Sequence, residues 1–206
     1  MKCQAQTSAC APLSSIVRHL VRTFTLRNPE FEVPLNLGLL FRWGGVVRHD
    51  VAVQLAYQEQ YLQFQRHLLE NLQSTSLEHP DWHPIALSLS LRAGAIKTYV
   101  ISAVAVLEGA LAGFGGARQI CANPDDLYDL TFGQLLGRWS NNGIPRSEIE
   151  PIWQDLQLLR TYRNHVHLAR AADDEAYWQD VVAREQELLR SADRCLEFLA
   201  EVCGEA

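Results

Sequence analysis

Residues 99–116 read YVISAVAVLEGALAGFGG, and this stretch decides the fold class. It is the most apolar part of the chain, but Glu108 interrupts it and Gly115 and Gly116 close it. A helix that spans a membrane needs roughly 20 apolar residues, so the stretch is too short and too interrupted for that role. We therefore expect a buried core helix over residues 85–114 that ends at the two glycines.

Helical periodicity continues on both sides of this stretch. Apolar residues recur at spacings of three and four, and no segment shows the alternation of a half-buried strand. Glycine and proline clusters separate the periodic segments. The predicted helices cover residues 13–26, 35–43, 46–72, 85–114, 131–139, 147–171 and 175–202. The predicted fold class is all-α, an antiparallel helix bundle with an N-terminal helical extension.

The boundary between extension and core is predicted at residues 74–84, STSLEHPDWHP, which hold two prolines and are typical of a loop. A chain of 206 residues fits one domain plus an extension better than two full domains. We assign residues 1–84 to the N-terminal helical extension and residues 85–206 to the helical core.

Two four-residue patterns predict helix starts. Thr131 and Gln134 have the spacing of a capping box, in which the two side chains satisfy free N–H groups at the helix start. Ser147 and Glu150 have the same spacing. Pro151 follows in the first turn, where its missing N–H does no harm.

The five cysteines favour a reducing compartment. Their number is odd, they are widely spaced and no C-x-x-C pattern occurs, so a disulfide framework or a zinc site is not expected. The N-terminus lacks the continuous apolar run of a signal peptide. We expect a cytoplasmic protein that is not inserted in a membrane and that needs neither a metal nor a cofactor.

The net charge of −6 is unevenly distributed along the chain. Residues 101–206 carry nine basic and seventeen acidic side chains, whereas the first 29 residues carry four basic side chains and no acid. An acidic surface disfavours broad, non-specific binding of nucleic acid, because phosphates must be neutralised by cations. Any nucleic-acid site is therefore expected to be local.

Residues 156–172, LQLLRTYRNHVHLARAA, form such a local basic region, with three arginines, two histidines and no acid. Arginine offers a permanent charge in a fork that fits phosphate, and histidine exchanges a proton near neutral pH. Together they suit the activation of a ribose 2′-OH and the stabilisation of charge on the adjacent phosphorus. That chemistry needs no metal ion.

Helical geometry selects a subset of these residues. Arg160 and His167 point within about 20° of each other on a helix, and Arg163 and Asn164 complete an arc of roughly 100°. His165 lies about 140° from Arg160 and leaves this arc. His167 is therefore the predicted partner of Arg160, although the spacing from Arg160 to His165 also fits a bare Arg–x4–His pattern.

The segment Arg160-TYRNHV-His167 resembles the HEPN superfamily (higher eukaryotes and prokaryotes nucleotide-binding domains), whose mark is Arg, four to six residues, then His on a late helix. Residues 100–114 resemble the earlier core helix of that family, with Glu108 at its acidic position. Residues 131–139, TFGQLLGRW, resemble its short connecting helix. The resemblance covers about residues 85–203.

This resemblance implies a dimeric helix bundle with two Arg–His motifs in one cleft. It implies a metal-independent endoribonuclease, often a toxin or a phage-defence effector, that leaves 2′,3′-cyclic phosphate ends and can have a cognate antitoxin as partner. The expected ligand is RNA or a nucleotide. The implied catalytic residues are Arg160, Arg163, Asn164 and His167, and Glu108 is expected to orient Arg160 or Arg163.

An alternative function follows from one departure from the family pattern. Thr161 follows Arg160, where the family prefers Asn, Asp or His. Some members of the family only bind, and the alternative is accordingly a non-catalytic HEPN module for a nucleotide or a partner protein. A helical scaffold in which the motif stabilises a dimer is a third, weaker interpretation.

Overall fold

The structure, a computed structural model, describes residues 37–45, 48–71, 89–141, 148–164 and 175–204. Every regular element within these ranges is helical, which confirms the predicted all-α class, and they form a helix bundle. The α-helices are α1 (Leu37–Arg42), α2 (His49–Asn71), α3 (Leu89–Ala117), α4 (Phe132–Asn141), α5 (Trp153–Asn164), α6 (Glu175–Ala183) and α7 (Glu185–Gly204). Short 3-10 helices at Pro124–Leu127 and Glu150–Ile152 precede α4 and α5.

The centre of the bundle is α3, the helix expected from the apolar stretch. It contacts α2, α4, α5, α6 and α7, and its buried face includes Tyr99, Leu107, Leu111 and Phe114. By length and composition alone α3 could cross a membrane. Its packing inside the bundle explains the apolar composition, as for the core helix of a soluble protein.

Helices of the predicted extension share the core of the predicted C-terminal unit. Trp43, Leu55, Leu62 and Leu69 are buried in the same apolar cluster as α3. The expected boundary loop at residues 74–84 and the predicted helix at residues 13–26 both lie outside the described residues. The division at residue 84 therefore stays a prediction.

The predicted end of α3 is wrong. The helix continues through Gly115 and Gly116 to Ala117. It ends in a Schellman motif, in which Gln119 N–H donates to the Gly116 carbonyl and Ile120 N–H donates to the Gly115 carbonyl, each at 3.1 Å. Gln119 takes the left-handed conformation with φ 54°. Gly115 is needed for packing instead, because a Cβ there would lie 2.6 Å from Ile120 Cδ1.

Two later helices also differ in detail from their predictions. Pro151 lies in the first turn as expected, but that turn is 3-10, and Ser147 of the second predicted capping box lies outside the described residues. The predicted final helix is divided at Arg184 into α6 and α7. Backbone bonds from Arg184 N–H to Asp180 and from Leu188 N–H to Arg184 keep the two parts nearly continuous.

Charged residues of α3 fasten it to its neighbours. Arg92 forms a two-pronged ion pair with Glu185 at the start of α7. Lys97 is buried, with its Nζ 5.0 Å from the ring centres of both Tyr177 and Trp178 on α6. A buried ammonium is stabilised by the electron-rich faces of aromatic rings. The third charged residue of α3, Glu108, belongs to the candidate site.

Candidate functional site

Glu108 lies at the start of α4, although it belongs to α3. Its Oε1 accepts a hydrogen bond of 2.6 Å from the backbone N–H of Phe132, the first residue of α4. The first N–H groups of a helix have no partner within the helix, and the helix dipole is positive there. A carboxylate is therefore stabilised at this point, and the contact fixes the position of the Glu108 side chain.

Thr131 and Gln134 form one half of the predicted capping box at the same helix start, since the Thr131 hydroxyl donates to Gln134 and does not accept from a helix N–H. Gln134 Oε1 accepts hydrogen bonds from the Thr131 N–H at 3.0 Å and from the Thr131 hydroxyl at 2.9 Å. Leu135 N–H donates to the Thr131 carbonyl at 2.8 Å and closes the first turn. Side chains from α3 and α4 together thus define the geometry of this helix end.

Arg163 of α5 reaches the same carboxylate. Its Nη2 lies 3.7 Å from Glu108 Oε1, and the two side chains are 38% and 27% exposed. Of the two arginines that the sequence offered as partners of Glu108, the structure pairs Arg163. A partly solvated pair of this kind stabilises the fold by about 1 kcal/mol or less, so its role is chiefly to orient the two side chains.

Arg160 lies beside the same helix start and has no acidic partner among the described residues. Its Nε, Nη2 and Cζ atoms lie 3.1, 3.2 and 3.3 Å from the position that a Cβ on Gly133 would occupy. Within the described ranges no carboxylate lies within ion-pair distance of Arg160. The Arg160 guanidinium is half-buried, and its positive charge remains available to a ligand.

Gly133 is a site residue that the sequence patterns did not select. A methyl group there would require the Arg160 guanidinium to shift slightly, whereas a Cβ on Gly137, one turn later, would meet no atom within 4 Å. The one available signal was a glycine in the first turn of a well-capped helix, since glycine disfavours helix formation. That signal does not say which side chain uses the space.

The remaining described residues of the motif divide between the surface and the core. Asn164, the last residue of α5, is exposed one turn after Arg160. Thr161 is also exposed, but its hydroxyl donates to the Gln157 carbonyl at 2.9 Å. Tyr162 is buried, and its hydroxyl donates to the Asp180 carboxylate.

His165 and His167 lie outside the described residues, and α5 is described only as far as Asn164. The alignment of Arg160 with His167, and the alternative with His165, therefore stay predictions. The structure does bring together Arg160, Arg163 and Glu108, which come from two helices and meet at the start of a third.

Other titratable groups near α5 do not supply a nucleophile. Burial raises the pKa of the Cys203 thiol to about 11, and burial also raises the pKa of Cys195. Burial, together with the hydrogen bond to Asp180, raises the pKa of Tyr162. These groups stay protonated near neutral pH. Among the described residues no group of three or more His, Cys, Asp or Glu side chains could hold a metal ion.

The start of α4 thus combines a helix N-terminus, two arginines and one acid. The side chains carry a net positive charge, and both guanidinium groups and helix N–H groups favour anions such as phosphate. No family model matches this chain, and neither a curated protein nor a solved structure matches it.

Proposed function

We propose that the chain is a HEPN-type, metal-independent endoribonuclease that acts in the cytoplasm as a toxin or a phage-defence protein. The observation that carries the proposal is the Arg160 guanidinium, which lies against Gly133 at the start of α4 without an acidic partner among the described residues. Arg163, one turn further along α5, is paired with Glu108 and so has a fixed position. Two arginines beside one helix start, one paired with an acid and one without such a partner among the described residues, suit the binding of a phosphodiester.

Each residue has a distinct role in the proposed reaction. Arg160 binds the scissile phosphate and stabilises the negative charge that builds on its oxygens. Asn164 orients the ribose hydroxyl or a phosphate oxygen. His167 takes the proton of the 2′-OH, and the 2′ oxygen forms a bond to phosphorus. The bond from phosphorus to the 5′ oxygen breaks, that oxygen takes a proton from water, and the products are a 2′,3′-cyclic phosphate and a 5′-OH.

The homodimer is part of the same proposal, and an uncharged strip on α3 supports it. Thr98, Ile101 and Ala105 are exposed at spacings of three and four, with half-buried Gly94 one step before them. Such spacing suits packing against another helix. The next position in the series is Glu108, so a second copy seated on the strip would lie next to the candidate site. Light scattering tests for the dimer. A chain that stays monomeric at micromolar concentration would contradict a site formed by two copies.

Cleavage of single-stranded RNA in the presence of EDTA tests the proposal. We expect the purified chain to cut RNA and to leave cyclic phosphate ends, and His167→Ala to abolish the cut. His49→Ala is the matched control, since His49 is exposed at the start of α2 and outside the site. Equal activity of the His167 variant and the wild type would remove His167 from the mechanism.

A non-catalytic module that binds a nucleotide or a partner protein, such as a cognate antitoxin, is the second candidate. It is favoured by Thr161, because the side chain after Arg160 bonds back to its own helix at Gln157. This function predicts no cleavage under any of the conditions above. It also predicts a nucleotide or a partner protein that copurifies with the wild type and is lost in Arg160→Ala.

A further inference from the structure

Two large apolar side chains on α1 are exposed. Leu37 is 64% exposed and Phe41 is 80% exposed. They lie one turn apart and so form one apolar surface. The other side of this part of the chain is buried, with Leu39 and Trp43 in the interior. Exposed phenylalanine and leucine side chains on one helix face favour an apolar partner.

The N-terminal segment of the same chain has the complementary chemistry. Residues 13–26 show helical periodicity with an apolar side, formed by Ile16, Val17, Leu20, Val21 and Phe24. Arg18 and Arg22 lie on the other side, and no acid precedes Glu30. Ten residues, 27–36, join this segment to Leu37 and span at most about 36 Å. So short a tether gives an effective concentration on the order of millimolar.

We propose that residues 13–26 dock on α1 of their own chain. The apolar side of the segment covers Leu37 and Phe41, and Arg18 and Arg22 on its other side face away from α1. The partner is thus a basic amphipathic segment supplied in cis. This docking does not depend on the proposed ribonuclease function.

Limited trypsin digestion of the full chain tests the docking, because trypsin cuts after Arg18, Arg22 and Arg27. Early cleavage products are measured by mass spectrometry. We expect cleavage after Arg18 and Arg22 to be about tenfold or more slower in the wild type than in L37S/F41S, since docked backbone resists proteolysis. Tyr57→Ser is the control, because Tyr57 is an exposed side chain on a different helix, α2.

Three results would overturn the proposal. The first is wild-type cleavage as fast as that of an isolated peptide of residues 1–36. The second is protection that survives in L37S/F41S while far-UV circular dichroism shows an intact fold. The third is protection that disappears on about hundredfold dilution, since a segment docked in cis is insensitive to protein concentration.

Discussion

The two ends of α3 use charge in opposite ways. Near its start, Arg92 donates two hydrogen bonds to Glu185 and a third, of 2.7 Å, to the Leu69 carbonyl, and both charged side chains are only 11% exposed. Towards its end, Glu108 faces Arg163 at 3.7 Å in a partly solvated pair. Arg160 lies beside that pair with no acid of its own in the described parts of the chain.

The difference separates a charge that stabilises the fold from a charge that can serve a ligand. The Arg92 guanidinium has its donors directed at oxygens of α2 and α7, so it has little to offer an incoming phosphate. The Arg160 guanidinium lies against Gly133 and has no acidic partner among the described residues, so none of them compensates its charge. A cation without a counter-ion is available to bind an anion.

The largest expected effect comes from the start of α3, where Arg92 is paired with Glu185. Arg92→Ala leaves the Glu185 carboxylate buried without its partner, so the free energy of unfolding should fall by about 3 to 5 kcal/mol. Urea denaturation followed by circular dichroism measures it. Arg190→Ala is the control, since Arg190 is exposed and bonds only to the Gln186 carbonyl. A loss below about 1 kcal/mol for Arg92→Ala would place Arg92 with ordinary surface ion pairs.

A smaller effect is expected from a methyl group added at Gly133, beside Arg160. Gly133→Ala pushes the Arg160 guanidinium away from the start of α4, and we expect RNA cleavage to fall about tenfold, equal to about 1.4 kcal/mol. Gly137→Ala on the same helix has open space for the methyl group and should keep the wild-type rate. Its stability should rise by up to about 1 kcal/mol, because alanine favours helix. Equal rates for the two variants would show that the position of Arg160 does not matter.

The smallest effect concerns the end of α3. Gln119 holds the left-handed conformation that glycine adopts without strain, so Gln119→Gly should raise the free energy of unfolding by about 0.5 to 1 kcal/mol. RNA cleavage should not change, since Gln119 makes its backbone contacts to Gly116 and not to the site. Chemical denaturation measures the gain. A loss of stability would mean that the Gln119 side chain has a structural role.

Local features of the fold were predictable from the sequence. The bond from the Thr131 N–H to Gln134, one half of the predicted capping box, depends on residues three apart, and the core role of α3 depends on its own apolar composition. The continuation of α3 through Gly115 was not predictable, because this glycine serves a contact with Ile120 after the chain has turned back. Sequence periodicity carries no information on such returning contacts.

The candidate site shows the same limit. Helical spacing placed Arg160, Arg163 and Asn164 within one arc of α5, and in the described part of that helix Arg160 and Arg163 are half-buried while Asn164 is exposed. The choice between Arg160 and Arg163 as partner of Glu108 depends on how α3, α4 and α5 pack, which one helix does not determine. The Gly133 contact depends on that packing too.

RNA cleavage by Arg160→Ala, measured in EDTA beside the free energy of unfolding, tests the central claim most directly. The account predicts a fall in the cleavage rate of about 100-fold or more, the usual loss when one preorganised donor to a developing oxyanion is removed. It predicts a free energy of unfolding within about 0.5 kcal/mol of the wild type, because Arg160 has no ion pair to lose within the described residues. A variant that cleaves RNA as fast as the wild type would contradict the account.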